Sequence, residues 1–239
     1  MTIAIIPARG GSKRIPDKNI KQFAGKPIIY YSIRVALESE LFDHIIVSTD
    51  SERIAAVARE CGAETPFLRP AEISDDYTML PPVLIHAIKQ LQLLGITFDH
   101  FCSILPTSPL IQPEYIQAGY RTLIAEKVSS VISITSFPFP ILRAFKLNKN
   151  GPLEMIWPEH EFSRSNDLEE AYHDAGQFYW LNTEMFLMSK RIFAQDAHPI
   201  ILPRYLVQDI DTIEDWQKAE FLYYAIKQGK HFLKGENND

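Results

Sequence analysis

Two short stretches of this chain carry side chains whose types and spacing suit chemistry. The first, Ile3 to Asn19, reads IAIIPARGGSKRIPDKN: an apolar run that breaks into a glycine-bearing basic loop. Arg9, Lys13, Arg14 and Lys18 concentrate positive charge there. Gly10 and Gly11 permit dihedrals and close approaches denied to other residues, so successive N–H groups can turn inward as an anion nest, flanked by Ala8 and Ser12. Pro16 stiffens the exit, and Asn19 supplies an amide that both donates and accepts. Such a loop suits a triphosphate, with a basic surface turn as the plainer alternative. The better-known phosphate loops are absent: Ser12 precedes Lys13 without the GxxxxGK[ST] spacing, and the adjacent glycines do not make GxGxxG.

The second stretch is Asp209-Ile210-Asp211. In an extended conformation both carboxylates point to one face and Ile210 to the other. Paired carboxylates repel unless a cation sits between them, and hard oxygen ligands suit Mg²⁺. The competing reading is helix capping, because Glu214 stands three residues after Asp211, a capping-box spacing. That reading explains Asp211 and leaves Asp209 unexplained. Further along, His173 and Asp174 precede Gln177 and Tyr179 in an aromatic segment, a polar group with aromatic walls of the kind that holds sugars, although a lone histidine beside aromatics is more often a core residue. Arg69, Arg143 and Arg164 are isolated arginines in loops, each able to grip a carboxylate or phosphate with two bonds, although most such arginines are solvated surface.

These groups need a scaffold, and 239 residues suffice for one large α/β domain, residues 1–239, with a small inserted lobe. A hydrophobic share of 46% against 23% charged residues excludes a disordered chain. The net charge of -6 argues against a nucleic-acid binder with a broad basic face, and makes the basic loop a local site for a small polyanion. Cys61 and Cys102 lack any metal or disulfide spacing and read as buried thiols. The N-terminal apolar run is too short for a secretory leader and its basic residues follow it; no stretch is long enough to span a membrane. A cytoplasmic protein is expected.

The apolar run Ile3–Ile6 reads as a strand buried on both faces, stopped by Pro7. Helical spacing follows over 28–41, then a strand over 44–48. Next comes a helix capped by Ser51 and ended by Gly62, a short edge strand or loop over 65–69, a loop to Thr78 and a helix through Val83 and Leu91. A strand over 101–105 breaks into Pro106-Thr107-Ser108-Pro109, followed by a helix over 111–125 and a strand over 131–135. This alternation predicts a parallel sheet with right-handed crossovers, whose ligand lies beyond the carboxyl ends of the strands. From Ser136 to Trp180 the rhythm changes to aromatic and β-branched runs with Asn150-Gly151 as a turn signal. We read 137–180 as a strand-rich insertion for dimerisation and sugar binding, with a ragged continuation of the core as the alternative. A helix over 183–193, a strand over 200–202, a final helix through Trp216 and Ile226, and a frayed tail from Gly229 complete the pattern.

In this order and across nearly the whole chain, IPARGGSKRIPDKN, IIVSTDS, LRPAEIS, LPTSPL and DIDTIEDW resemble the cytidylyltransferases that activate acidic keto sugars, the CMP-sialic acid synthetase family. AYHDAGQFYW, with FPFPILRAF before it, is most similar to the pseudaminic acid branch. The resemblance implies a Rossmann-like α/β fold of the glycosyltransferase-A, nucleotide-diphospho-sugar transferase type. It also implies a homodimer, Mg²⁺, and transfer of CMP from CTP to the anomeric hydroxyl of an acidic nine-carbon keto sugar. Carried over by motif position, Arg9, Ser12, Lys13 and Asn19 hold CTP, Arg69 helps in the nucleotide pocket, and Asp209 and Asp211 bind the metal. Sialic acid enzymes have Gln where this chain has Leu105 and Arg where it has Ile111; a less polar sugar pocket favours pseudaminic acid over sialic acid. Sialic, legionaminic and Kdo acids remain the competing substrates, and a non-catalytic nucleotide-sugar sensor the competing class.

Overall fold

The computed structural model describes residues 1–149 and 151–235. The first strand, β1 (Thr2–Pro7), is buried along its length because it is the inner strand of a sheet covered on both faces. The basic loop follows, then the two-residue strands β2 (Gln22–Phe23) and β3 (Lys26–Pro27) and helix α1 (Ile28–Ser39), which Glu40 closes in the left-handed conformation. Strand β4 (His44–Ser48) leads to α2 (Glu52–Glu60), where the Ser51 side chain accepts the Ile54 N–H, and then to α3 (Leu80–Leu93) with prolines in its first turn. The segment 65–69 makes only an isolated bridge, Leu68 to Thr49. Strand β5 (His100–Ile104) precedes α4 (Pro113–Glu126), which starts two residues later than the periodicity predicts because Pro113 is suited to a helix's first position. There follow β6 (Ser130–Ser136), the small hairpin β7 (Phe145–Leu147) and β8 (Leu153–Met155), and the long strand β9 (Tyr172–Asn182). Helix α5 (Thr183–Ser189) is shorter than predicted, since Lys190 adopts the left-handed conformation and its N–H caps Phe186. Strand β10 (His198–Ile201) and helix α6 (Ile213–Gly235) complete the order. The helix continues through the expected start of the tail at Gly229; 236–239, like Asn150 of the predicted turn, lie outside the described residues.

The main sheet has the order β10-β6-β9-β5-β1-β4. All neighbours pair parallel except β9, which is antiparallel to both β5 and β6. The sheet is therefore mainly parallel, as predicted, with one reversed strand at its centre. This corrects the boundary of the insertion: 172–180 belongs to the core sheet. Phe178 and Trp180 pack on the α4 side, while Tyr179 and Leu181 join the α3 and α5 side. Both faces of β9 are apolar, so the polar alternation that marks a half-buried strand is missing from its sequence.

Candidate active site

Because β1, β4 and β5 are parallel, Pro7, Thr49 and Leu105 lie at the same edge of the sheet. There a cleft of about 410 Å³ opens, lined among others by Arg9, Ser12, Arg14, Lys18, Asn19, Arg69, Leu105, Tyr179 and Asp211. The basic loop and the late carboxylates meet across it although they are 192 residues apart: Lys18 Nζ donates to the Ile210 carbonyl at 2.6 Å and lies 3.5 Å from Asp211 Oδ1. Arg14 reaches the same oxygen at 2.8 Å. An apolar joint fixes this approach. Ile15 of the loop and Ile210 between the two aspartates are fully buried in one cluster with Phe23, Tyr31 and Trp216. Burying each isoleucine is worth about 1.5–3 kcal/mol, enough to clamp the loop against the start of α6.

The capping question is decided at this joint. Thr212 Oγ1 accepts the Asp215 N–H at 3.2 Å, and the Asp215 carboxylate accepts the Thr212 N–H at 2.8 Å and hydroxyl at 2.7 Å. The reciprocal box thus uses Thr212 and Asp215, not Asp211 and Glu214, and the Asp211 side chain faces the cradle's cations. Asp209 is exposed and, unlike Asp211, does not line the cleft. Its carboxyl is pushed up by partial removal from water and by Asp211, and drawn down by Lys18. A carboxylate whose proton affinity is raised by a second carboxylate nearby suits a divalent cation. No group of three or more His, Cys, Asp or Glu side chains among the described residues is arranged to hold one. Two carboxylate oxygens are hard donors of the kind that hold Mg²⁺ beside nucleotides, where phosphate oxygens complete its shell.

Three aspartates neutralise the cleft, two of which the sequence reading missed. Asp50, at the carboxyl end of β4, accepts the Gly10 N–H at 2.8 Å and lies 3.8 Å from the Arg69 guanidinium. Arg69 is buried, with Nε donating to Ser74 Oγ at 2.9 Å. Asp76 pairs with both Arg9 and Lys13, and Asp211 with Arg14 and Lys18. The position of Asp50 just after a parallel strand was the available signal; Asp76 offered none, since a loop carboxylate acquires its partners only on folding. The glycines work differently from expectation. Neither Gly10 nor Gly11 has a positive φ. A Cβ on Gly10 would come 3.2 Å from Ser51 Cβ, so the close approach, not the dihedral, is what favours glycine there. The Gly10 N–H is already spent on Asp50, which corrects the picture of a nest of free donors.

Asn19 is buried and donates to the Arg9 carbonyl at 2.9 Å, bracing the loop from within. Ala8 is buried beneath the loop with its N–H on the Ser48 carbonyl. Of the four sugar-binding candidates only Tyr179 lines the cleft, its hydroxyl donating to Asp174 at 2.7 Å. Arg143 is exposed on the turn 141–143. His173 packs against Phe137 at 4.8 Å and lines a separate hollow with His198. Gln177 is buried, its amide donating to the Leu206 carbonyl. Leu105 lies in the cleft as expected, whereas Ile111 is buried in the α1/α4 core and shapes no part of it.

A family model described as cytidylyltransferase matches residues 3–235 of the chain. The chain belongs to the cytidylyltransferase family. Among curated cytidylyltransferases it is 44% identical to the pseudaminic acid cytidylyltransferase of Campylobacter jejuni over 221 residues, covering 92% of this chain and 95% of the relative. It is 31% identical to the CMP-N,N'-diacetyllegionaminic acid synthase of Legionella pneumophila over 226 residues, covering 92% and 95%. In fold it is similar to a CMP:2-keto-3-deoxy-manno-octonic acid synthetase solved with CTP, at a TM-score of 0.67 and 14% identity over 94% of this chain and 98% of that one. The nucleotidyltransferase assignment and the α/β architecture therefore stand together. No helix among the described residues is long and apolar enough to cross a membrane.

Proposed function

We propose that the cleft transfers CMP from CTP to the anomeric hydroxyl of pseudaminic acid, releasing pyrophosphate. The observation that supports this reading is the contact of Lys18 with Ile210 and Asp211, which brings the cationic cradle and the second aspartate of the pair to one cavity. Arg9, Ser12, Lys13 and Lys18 bind the triphosphate, and Asn19 and Arg69 hold the nucleotide end of the cleft. Asp209 and Asp211 hold Mg²⁺, which when bound neutralises phosphate charge. The hydroxyl oxygen attacks the α-phosphorus in line with the departing pyrophosphate oxygen, so the protein's work is positioning and charge stabilisation. A carboxylate of the pair, Asp209, would also be the group to take the hydroxyl proton, directly or through water. Leu105 in the cleft wall and the 44% identical relative support a deoxygenated, acylated sugar.

The partner in solution is a second copy of the chain. Supporting this, the 137–171 segment exposes apolar side chains it cannot bury alone, Leu147 at 84% and Phe162 at 93% exposure among them. The test of the reaction is pyrophosphate release from CTP and Mg²⁺ with pseudaminic, legionaminic, N-acetylneuraminic and Kdo acids in turn. Fastest turnover with pseudaminic acid is expected. Fastest turnover with another acid would reassign the substrate, and nucleotide binding without turnover on any of them would make the protein a sensor.

A further inference from the structure

Arg9 and Lys13 do not wait in water for a ligand. Both end on Asp76, the guanidinium on Oδ1 and the ammonium on Oδ2, so one carboxylate bridges two cations through one oxygen each. A phosphate group presents its oxygens to a pair of cations in the same way. The other two aspartates of the cleft are tied into the framework: Asp50 holds the Gly10 backbone and the buried Arg69, and Asp211 flanks the apolar joint at Ile210. Asp76 instead stands on the surface loop between the short turn 71–73 and α3. The neighbouring Asp75 carboxylate holds that loop by accepting the Tyr77 and Thr78 N–H groups at 3.0 and 2.7 Å. The bonds from Lys13 and Arg9 hold the Asp76 carboxyl below the ordinary carboxylate range, so it is charged whenever the cleft is empty.

We propose that Asp76 is an exchangeable counter-ion for the triphosphate cations: entering nucleotide displaces it from Arg9 and Lys13, and it takes them back as pyrophosphate departs. This rests on the reading that Arg9 and Lys13 bind the phosphates. The same donors cannot fully serve a carboxylate and a phosphate at once, and a carboxylate left beside bound phosphate repels it. Lys13 is 80% exposed, and ion pairs this open to water are individually weak, so the exchange is not blocked. Asp76 is thus a positioning residue that keeps two long side chains together in the empty cleft and weakens the hold on the leaving product.

The experiment compares wild type with Asp76→Asn, which keeps the shape and removes the charge. Calorimetric titration with inorganic pyrophosphate is expected to show binding about tenfold tighter in the variant, and product inhibition at correspondingly lower pyrophosphate. The gain is expected to shrink at high salt, because a charge effect is screened and a packing effect is not. In steady state the KM for CTP falls and kcat falls with it, as product release slows. Asp76→Glu restores the wild-type values, and Asp76→Ser, a second neutral replacement, repeats the Asn result. Unchanged or weaker pyrophosphate binding in both neutral variants would overturn the proposal. Lys13→Ala separates the two layers of inference. If it weakens pyrophosphate binding while the neutral Asp76 variants do nothing, only the counter-ion role fails; if it too does nothing, the phosphate assignment of the cradle fails and the proposal with it.

Discussion

Asp211 and Thr212 are adjacent, and the sequence spacing offered the capping job to Asp211. The structure separates them: Thr212 closes the start of α6 with Asp215, while Asp211 holds Arg14 and Lys18 across the cleft. Opposite behaviour on substitution follows. Asp211→Ala is expected to lower kcat/KM at least about a hundredfold with little change in urea stability. Thr212→Ala is expected to cost about 1 kcal/mol of stability and leave kcat/KM near wild type. Pyrophosphate release and urea titration of the two variants check this, and an active Asp211→Ala enzyme would remove the aspartate from the chemistry. The cap also has a pH signature. Bonds from the Thr212 side chain, then its N–H, depress the Asp215 carboxyl in the folded state, so the unfolded chain binds more protons as pH falls. The cap's contribution is complete above the ordinary carboxylate range and is lost as pH drops through the depressed folded value. Thr212→Ala should flatten that part of the stability profile.

At the scale of elements, the antiparallel β9 and the helix α4 that covers it are fitted to one another through a single glycine. Trp180 is fully buried, donates its indole N–H to the Ile116 carbonyl at 2.9 Å and stacks on Phe42 at 5.3 Å. A Cβ at Gly119 would come 2.6 Å from Trp180 Cδ1. Helix propensity favours alanine over glycine by about 1 kcal/mol, and the collision outweighs it, since forcing an extra methyl into a packed core costs about 1–3 kcal/mol. Gly119→Ala is therefore expected to lower the melting temperature, read by circular dichroism; a rise would mean that Trp180 yields easily. The strand itself was misjudged from sequence as part of a lobe. Gly176, at φ +60°, and the register shift between Ile132 and Ile134 interrupt its pairing, and its two buried faces erase the period of two. By contrast β1, β4 and β5 were legible, because short apolar runs bounded by proline or polar residues have few other fates in an α/β chain.

The whole molecule is acidic yet carries a cationic cleft, and it tolerates that by setting an aspartate against each pair of cradle donors. Part of the apolar surface it leaves uncovered lies on the β7–β8 hairpin and the segment after it. A homodimer through that surface predicts that light scattering after size exclusion gives twice the chain mass. Leu147→Asp with Phe162→Asp is expected to give monomer that retains its circular dichroism spectrum. A wild-type monomer, or a dimer indifferent to both changes, would exclude the lobe as the contact.

The sequence by itself determined the βα order at the amino-terminal end, the basic cradle and the spaced carboxylates, because each is written in consecutive residues and enforced by local sterics, periodicity and charge. It also placed Ile210 opposite its two aspartates. Only the tertiary structure decided that Ile15 and Ile210 share one apolar cluster and so bring the cradle to the carboxylates. It decided too which aspartate answers which cation, and that three of the four candidate sugar residues do not line the cleft. Those outcomes depend on contacts between residues far apart in the chain, which packing selects and no local pattern encodes.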